Sequence, residues 1–233
     1  MTEKIPLALL PGLLCDGALW EHQIDGLSDI ADCWVADFTT QDSSAAMVDH
    51  VLAAMPRRFA LAGLSMGGYV ALELMARAPE RVERLALIDT RAQGDSEEAT
   101  ARRRGLIQLA QKGQFKGVTP RLLPLFILES RMDDQALTAA VMGMAERVGR
   151  DAFLSQQHAI MTRRDHRETL PGIVVPTLVL CGRQDALTPL ADHAAMAAAI
   201  PDAELVVVED CGHLAPLERP EPVTAAMRRW LQV

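Results

Sequence analysis

Phe59-Ala60-Leu61-Ala62-Gly63-Leu64-Ser65-Met66-Gly67-Gly68-Tyr69-Val70-Ala71-Leu72-Glu73-Leu74 decides how the chain is read. Its first residues form a continuous apolar run, and from Met66 onward the pattern becomes that of an amphipathic helix. Between the two stands Gly63-Leu64-Ser65-Met66-Gly67, a GxSxG pattern in a strand, turn, helix setting. In any other setting it would read as a glycine-rich turn with a capping serine. Here the serine falls in a strained turn, and glycines on both sides let neighbouring backbone approach without a Cβ clash. The hydroxyl is presented at the strand end, and the helix behind it offers free N–H groups and a positive dipole to a developing oxyanion. Ser65 is the candidate nucleophile.

Outward from this stretch, short apolar runs alternate with longer amphipathic ones. Candidate strands are Ile5–Leu10, Cys33–Phe38, Phe59–Ala62, Arg84–Ile88, Thr177–Leu180 and Glu204–Val208. Several are continuously apolar, as strands buried on both faces must be. Helices are expected near Ala18–Leu27, Ser43–Met55, Met66–Arg77, Pro189–Ala199 and Pro222–Leu231, with Thr188 capping the fourth. The alternation predicts an α/β fold: a mostly parallel open sheet of about six strands with helices on both faces. Ligands in such a sheet bind beyond the carboxyl ends of its strands. One connection breaks the rhythm. Residues 91–170 hold no convincing strand and are expected to form an inserted helical cap of several short helices, leaving residues 1–90 and 171–233 as the core domain.

A serine alone is a poor nucleophile and needs a base and an orienting acid. Asp185 ends the loop after Thr177–Leu180, and His213 lies beside Gly212 in the loop after Glu204–Val208, so both fall at the same sheet edge as Ser65. The chain order Ser, Asp, His is that of the nucleophile-elbow hydrolases. Asp89 is the rival acid, because it too directly follows a strand. For the oxyanion, the elbow supplies the N–H of Met66, and the Leu10-Pro11-Gly12-Leu13 loop after the first strand supplies that of Leu13.

The remaining features exclude other classes. Net charge is −8, which disfavours a grip on phosphate backbones or anionic lipid. No apolar run approaches the length of a membrane span. The four cysteines form no CxxC pair, and no HExxH or tight His/Asp cluster suggests a metal, so no metal or cofactor is expected, in a reducing, cytoplasmic setting. His22, His50, His158, His166 and His193 read as structural or surface residues, with His158 the one candidate for the pocket wall. Arg163–Glu168 mixes signs and reads as a solvated face. Apolar cap residues, Leu106, Leu109, Phe115, Leu122 and Leu125 among them, either line a pocket or pack the cap core.

Taken with Pro11-Gly12-Leu13, Gly182-Arg183-Gln184-Asp185 and Gly212-His213, the elbow makes the chain resemble the α/β-hydrolase superfamily, in particular its small capped serine hydrolases. Within it the chain looks most like carboxylesterases and 3-oxoadipate enol-lactonases. Many such relatives carry a histidine where this chain has Pro11, and many open with antiparallel strands, which are not expected here. The resemblance implies transfer of an acyl group to water without cofactor or metal, on a small-molecule ester, lactone or thioester. In that scheme Ser65 attacks, His213 relays the proton, Asp185 orients the imidazole, and Leu13 and Met66 steady the oxyanion. Carbon–carbon bond hydrolysis or perhydrolase chemistry on the same triad, and a non-catalytic receptor on the same fold, are the alternatives.

Overall fold

A computed structural model describes residues 4–233. Six strands, β1 (Ile5–Leu10), β2 (Ala31–Val35), β3 (Phe59–Leu64), β4 (Val82–Ile88), β5 (Thr177–Gly182) and β6 (Ala203–Val208), form one sheet in the order β2-β1-β3-β4-β5-β6. Every neighbouring pair is parallel. The period of two along each strand sorts side chains into two cores. Leu7, Leu9, Ala60, Ala62, Leu64, Leu178 and Leu180 face one side, and Ala8, Leu10, Phe59, Leu61, Leu85, Leu87 and Val179 the other. The first core takes α1 (Glu21–Leu27) and the second takes α2 (Ser44–Ala54) and α3 (Met66–Arg77). Both faces are therefore covered, which is why these strands read as apolar runs.

The strand order sets the site. The chain leaves β1 outward to β2 and then crosses back to β3, so the loops after β1 and β3 diverge to opposite sides of the sheet at its carboxyl edge. That switch point is where an open α/β sheet forms its crevice.

Between β4 and β5 the described residues hold no strand. They form α4 (Glu97–Leu109), several one-turn helices, and α5 (Gln135–Met161), a 27-residue stretch made of two helices. The two meet at a kink at Gly149, whose φ of 78° and ψ of −179° lie outside the helical region. After β5 come α6 (Leu190–Ala199), and after β6 come α7 (Ala215–Glu218) and α8 (Pro220–Gln232).

Three expectations need correction. The second strand ends at Val35 rather than Phe38, because the Asp37 side chain accepts from the Thr39 N–H at 2.9 Å and turns the chain away. Thr188 does not cap α6; its hydroxyl is engaged elsewhere, and Pro189 precedes the first helical residue. Arg163–Glu168 is a solvated face only in part: Arg164, Asp165, Arg167 and Glu168 are exposed, whereas the Arg163 and His166 side chains are each only 3% exposed.

Candidate active site

Ser65 sits at φ 52°, ψ −113°, a conformation that costs strain in a residue with a Cβ. The backbone on either side is clamped to hold it. Its N–H donates to the Ile88 carbonyl at 3.0 Å, and its own carbonyl accepts from the Gly68 N–H at 3.0 Å and the Thr90 hydroxyl at 2.8 Å. The turn closes tightly because Gly63 and Gly67, two residues to either side of Ser65, have no side chain. A Cβ on Gly67 would lie 2.1 Å from the Leu10 carbonyl oxygen, and one on Gly63 2.3 Å from that of Gly67. Although Ser65 occupies the helix N-cap position, its hydroxyl makes no capping bond and is left for the imidazole.

His213 Nε2 lies 2.9 Å from Ser65 Oγ, and Nδ1 lies 2.8 Å from Asp185 Oδ2. The carboxylate can only accept, which assigns the proton on Nδ1 and leaves Nε2 to accept from the serine. Asp185 is fixed in turn. Its Oδ1 accepts from the N–H groups of Leu187 (2.8 Å) and Thr188 (2.9 Å), and its Oδ2 from the Thr188 hydroxyl at 2.5 Å. Burial alone would raise the Asp185 carboxyl, but His213 and these donors hold it below the usual carboxylate range. Asp185 and His213 are 5% and 2% exposed, so the pair works away from bulk water.

The rival acid has a different place. Asp89, also at positive φ, accepts from the Gly182 N–H at Oδ1 (2.9 Å) and the Ala215 N–H at Oδ2 (3.1 Å), tying the Asp185 loop to the His213 loop. Burial and the nearby Asp185 push its carboxyl well up. His193 completes this layer. The Thr90 N–H donates to His193 Nε2 at 2.9 Å, and burial pulls the imidazole down to about 4. Asp89, Asp185 and His193 bring one donor atom each within 4.8 Å, but the hydrogen bonds just given already engage those groups.

The segment between β4 and β5 and the helix α7 contribute ties that no sequence motif marks. The Phe126 carbonyl accepts from the N–H groups of both His213 (3.0 Å) and Leu214 (3.1 Å). Glu218, buried, takes the Gly212 N–H on one oxygen and the Leu128 N–H on the other, each at 2.8 Å. Gln156 of α5 accepts from the Leu14 N–H at 3.0 Å and donates to the Phe38 carbonyl at 3.1 Å. Leu14 is at φ 60°, so this buried amide holds a strained residue next to Leu13. The signal available in sequence was weak: a glutamine or glutamate inside an apolar helical stretch.

Ser65, His213 and Leu13 open into a cavity of about 480 Å³. α4 contributes a wall, with Leu106 and Leu109 joined by Leu122, Leu125 and Phe126. These residues between β4 and β5 therefore line the pocket, whereas His158 is exposed and does not. All four cysteines are free, and Cys15, beside the Gly12-Leu13-Leu14 loop, is a buried thiol pushed up to about 12.

This arrangement has counterparts among known proteins. The sequence pattern of the alpha/beta hydrolase family matches residues 8–226. A pimeloyl-[acyl-carrier protein] methyl ester esterase of Nitrosomonas europaea is 27% identical over 92% of this chain and 91% of its own length. Among solved structures, a thermophilic esterase from Thermogutta terrifontis superposes with a TM-score of 0.87 at 30% identity, covering 98% of this chain and 89% of that one. The enol-lactonase from Burkholderia xenovorans superposes with a TM-score of 0.89 at 26% identity, covering 99% and 92%. A match spanning nearly the whole chain, on a six-stranded parallel sheet, leaves one conclusion: the chain belongs to the alpha/beta hydrolase family and is a hydrolase.

Proposed function

We propose that the protein hydrolyses a carboxylic ester, lactone or thioester through an acyl-enzyme on Ser65. The observation that carries this reading is the continuous chain of contacts from Ser65 Oγ through His213 to Asp185, at 2.9 and 2.8 Å. Ser65 Oγ attacks the carbonyl carbon as His213 Nε2 takes the hydroxyl proton. The tetrahedral oxyanion meets the N–H groups of Met66, the first residue of α3, and Leu13. Leu13 is well sited for this, because Gly12 packs so closely that a Cβ there would lie 3.4 Å from Ser65 Cβ. His213 then returns the proton to the leaving oxygen or sulfur, which departs as the carbonyl re-forms. Water repeats the sequence, with His213 taking its proton, and releases the acid and Ser65.

In this reading residues 91–170 are the cap over the site, and the substrate is a small molecule. The relatives named above, an esterase of a methyl ester and an enol-lactonase, act on that class of bond. The test is initial hydrolysis of p-nitrophenyl acetate, butyrate and octanoate by the wild type and by Ser65→Ala. Turnover by the wild type with loss of about 10⁴-fold or more in the variant is expected. Equal rates from the two proteins would overturn it.

A further inference from the structure

His213 is followed by Leu214-Ala215-Pro216-Leu217-Glu218, an apolar run that ends in an acid. An acid ordinarily reaches for water, yet Glu218 is 1% exposed. A carboxylate so deeply buried is costly unless its oxygens find donors. Both do, and the two donors come from parts of the chain with different tasks. Oε1 takes the N–H of Gly212, the residue before His213, and Oε2 takes the N–H of Leu128, between β4 and β5. Burial pushes the Glu218 carboxyl above its usual range, and these two N–H groups oppose that push.

The Leu128 end leads directly to the pocket. Leu122, Leu125 and Phe126, just before it in the chain, line the cavity over Ser65. The Phe126 carbonyl holds the N–H groups of His213 and Leu214, so three successive N–H groups, from Gly212 to Leu214, are gripped by Glu218 or by the wall segment. The clamp is close on both sides. A Cβ on Gly212 would lie 2.8 Å from Glu218 Oε1 and 3.0 Å from the Ile127 carbonyl carbon and the Leu128 nitrogen. From outside, the Arg131 guanidinium donates to the Glu218 carbonyl at 2.6 Å and to Asp134 at 2.7 Å. Asp134 is the N-cap of α5, so the grip reaches that helix too. Asp185 fixes the direction of the imidazole through Nδ1, whereas Glu218 and Phe126 fix where its backbone stands.

We infer that Glu218 is a positioning residue for His213: by tying the loop of the imidazole to the segment that walls the pocket, it makes that wall part of what places the general base. A displacement of the wall is then carried to the ring. Proton transfer between Ser65 Oγ and Nε2, 2.9 Å apart, tolerates little of it. The inference deepens the Ser65 chemistry proposed above and rests on that reading.

Kinetics and a spectroscopic reading of the imidazole test it together. Glu218→Gln keeps the volume but can accept at only one atom, so its NH₂ group must face the N–H of Gly212 or of Leu128. The expected result is a kcat for p-nitrophenyl butyrate about tenfold below wild type, with KM within about twofold. In the proton NMR spectrum, the His213 Nδ1–H hydrogen-bonded to Asp185 is identified by its loss in His213→Gln, and it should shift or broaden in Glu218→Gln. A role in stability alone lowers the melting temperature but leaves kcat per folded molecule and this resonance at their wild-type values, and that result overturns the inference. The resonance also separates the two proposals. Wild-type protein inert on every p-nitrophenyl ester sinks the ester-hydrolysis reading, while a resonance that moves in Glu218→Gln keeps Glu218 as the residue that places the imidazole. If Glu218→Gln fails to fold, Arg131→Gln, at a side chain 26% exposed, loosens the same clamp from outside. It should lower kcat about threefold and move the resonance in the same direction, and no change in either overturns the inference.

Discussion

The sheet edge and the cap wall meet at one cavity but are built on opposite terms. At the sheet edge the polar side chains around Ser65 are tied down and largely buried: Asp185 receives four hydrogen bonds, and Asp89, His193 and Thr90 brace the loops behind it. On the cap wall, α4 buries none of its residues and holds leucines and an unpaired arginine open to the cavity. A reaction common to many substrates needs fixed geometry within fractions of an ångström. Selection among substrates needs a surface that can change without disturbing that geometry. The division of labour follows from this difference, and it can be attacked at several points.

The largest effect should come from the acids. Asp185→Asn is expected to lower kcat by about 10⁴-fold, because the amide can no longer hold the productive tautomer of His213. Asp89→Asn should leave kcat within about tenfold but cost about 1–3 kcal/mol, since an amide NH₂ must then face the N–H of Gly182 or Ala215. Denaturant melts and ester kinetics on both variants check this. A catalytic collapse in Asp89→Asn with activity retained in Asp185→Asn would reverse the two assignments.

Next is a pH effect confined to the braced layer. His193 is neutral and accepts from Thr90 in the folded protein, with its imidazole pulled down to about 4. In the unfolded chain the same group titrates near 6.5, so the unfolded state binds more protons between these values, and folding loses stability as the pH falls through that window. The loss should be on the order of 3 kcal/mol by pH 4. His193→Gln, which keeps an acceptor for Thr90, should remove most of that slope; an unchanged slope in chemical denaturation would refute the assignment.

Gln156 joins the two regions and gives an intermediate effect. Its replacement by alanine leaves the Leu14 N–H buried and unpaired, at a cost of about 1–3 kcal/mol. Because Leu14 adjoins Leu13, the proposed oxyanion donor, kcat should fall while KM is nearly unchanged. A change in KM alone would show that the amide only supports the cap. The smallest effect on stability belongs to the cap wall itself. Leu109→Ser, at a residue 48% exposed, should shift the melting free energy by less than about 0.5 kcal/mol, yet weaken the preference for longer acyl chains among p-nitrophenyl esters.

The same contrast governs what could be read from sequence. β1, β3 and β5 are legible because strands buried on both faces must be continuously apolar, and the elbow is legible because its glycines answer to steric limits local to the turn. Asp185 and His213 follow from their position after strands, which topology converts into proximity. Glu218 and Gln156 escape such reading, since Leu128, Leu14 and Phe38, which they hold, lie far along the chain and nothing in their own neighbourhood records the contact. The break at Gly149 is likewise silent in the hydrophobic pattern, which continues across it. Arg163 misleads for a related reason. A run of mixed charges reads as solvated, and only the fold brings Asp95 and the Tyr69 ring to bury it.

The account turns on Ser65 becoming covalently acylated. Rapid acid quench of the wild type during turnover of p-nitrophenyl butyrate, followed by peptide mass spectrometry, tests this directly. A butyryl group on the peptide containing Ser65, absent from Ser65→Ala and accumulating in His213→Ala only slowly, is the expected result. Turnover without any acylated serine, or acylation at another residue that persists in Ser65→Ala, would contradict it.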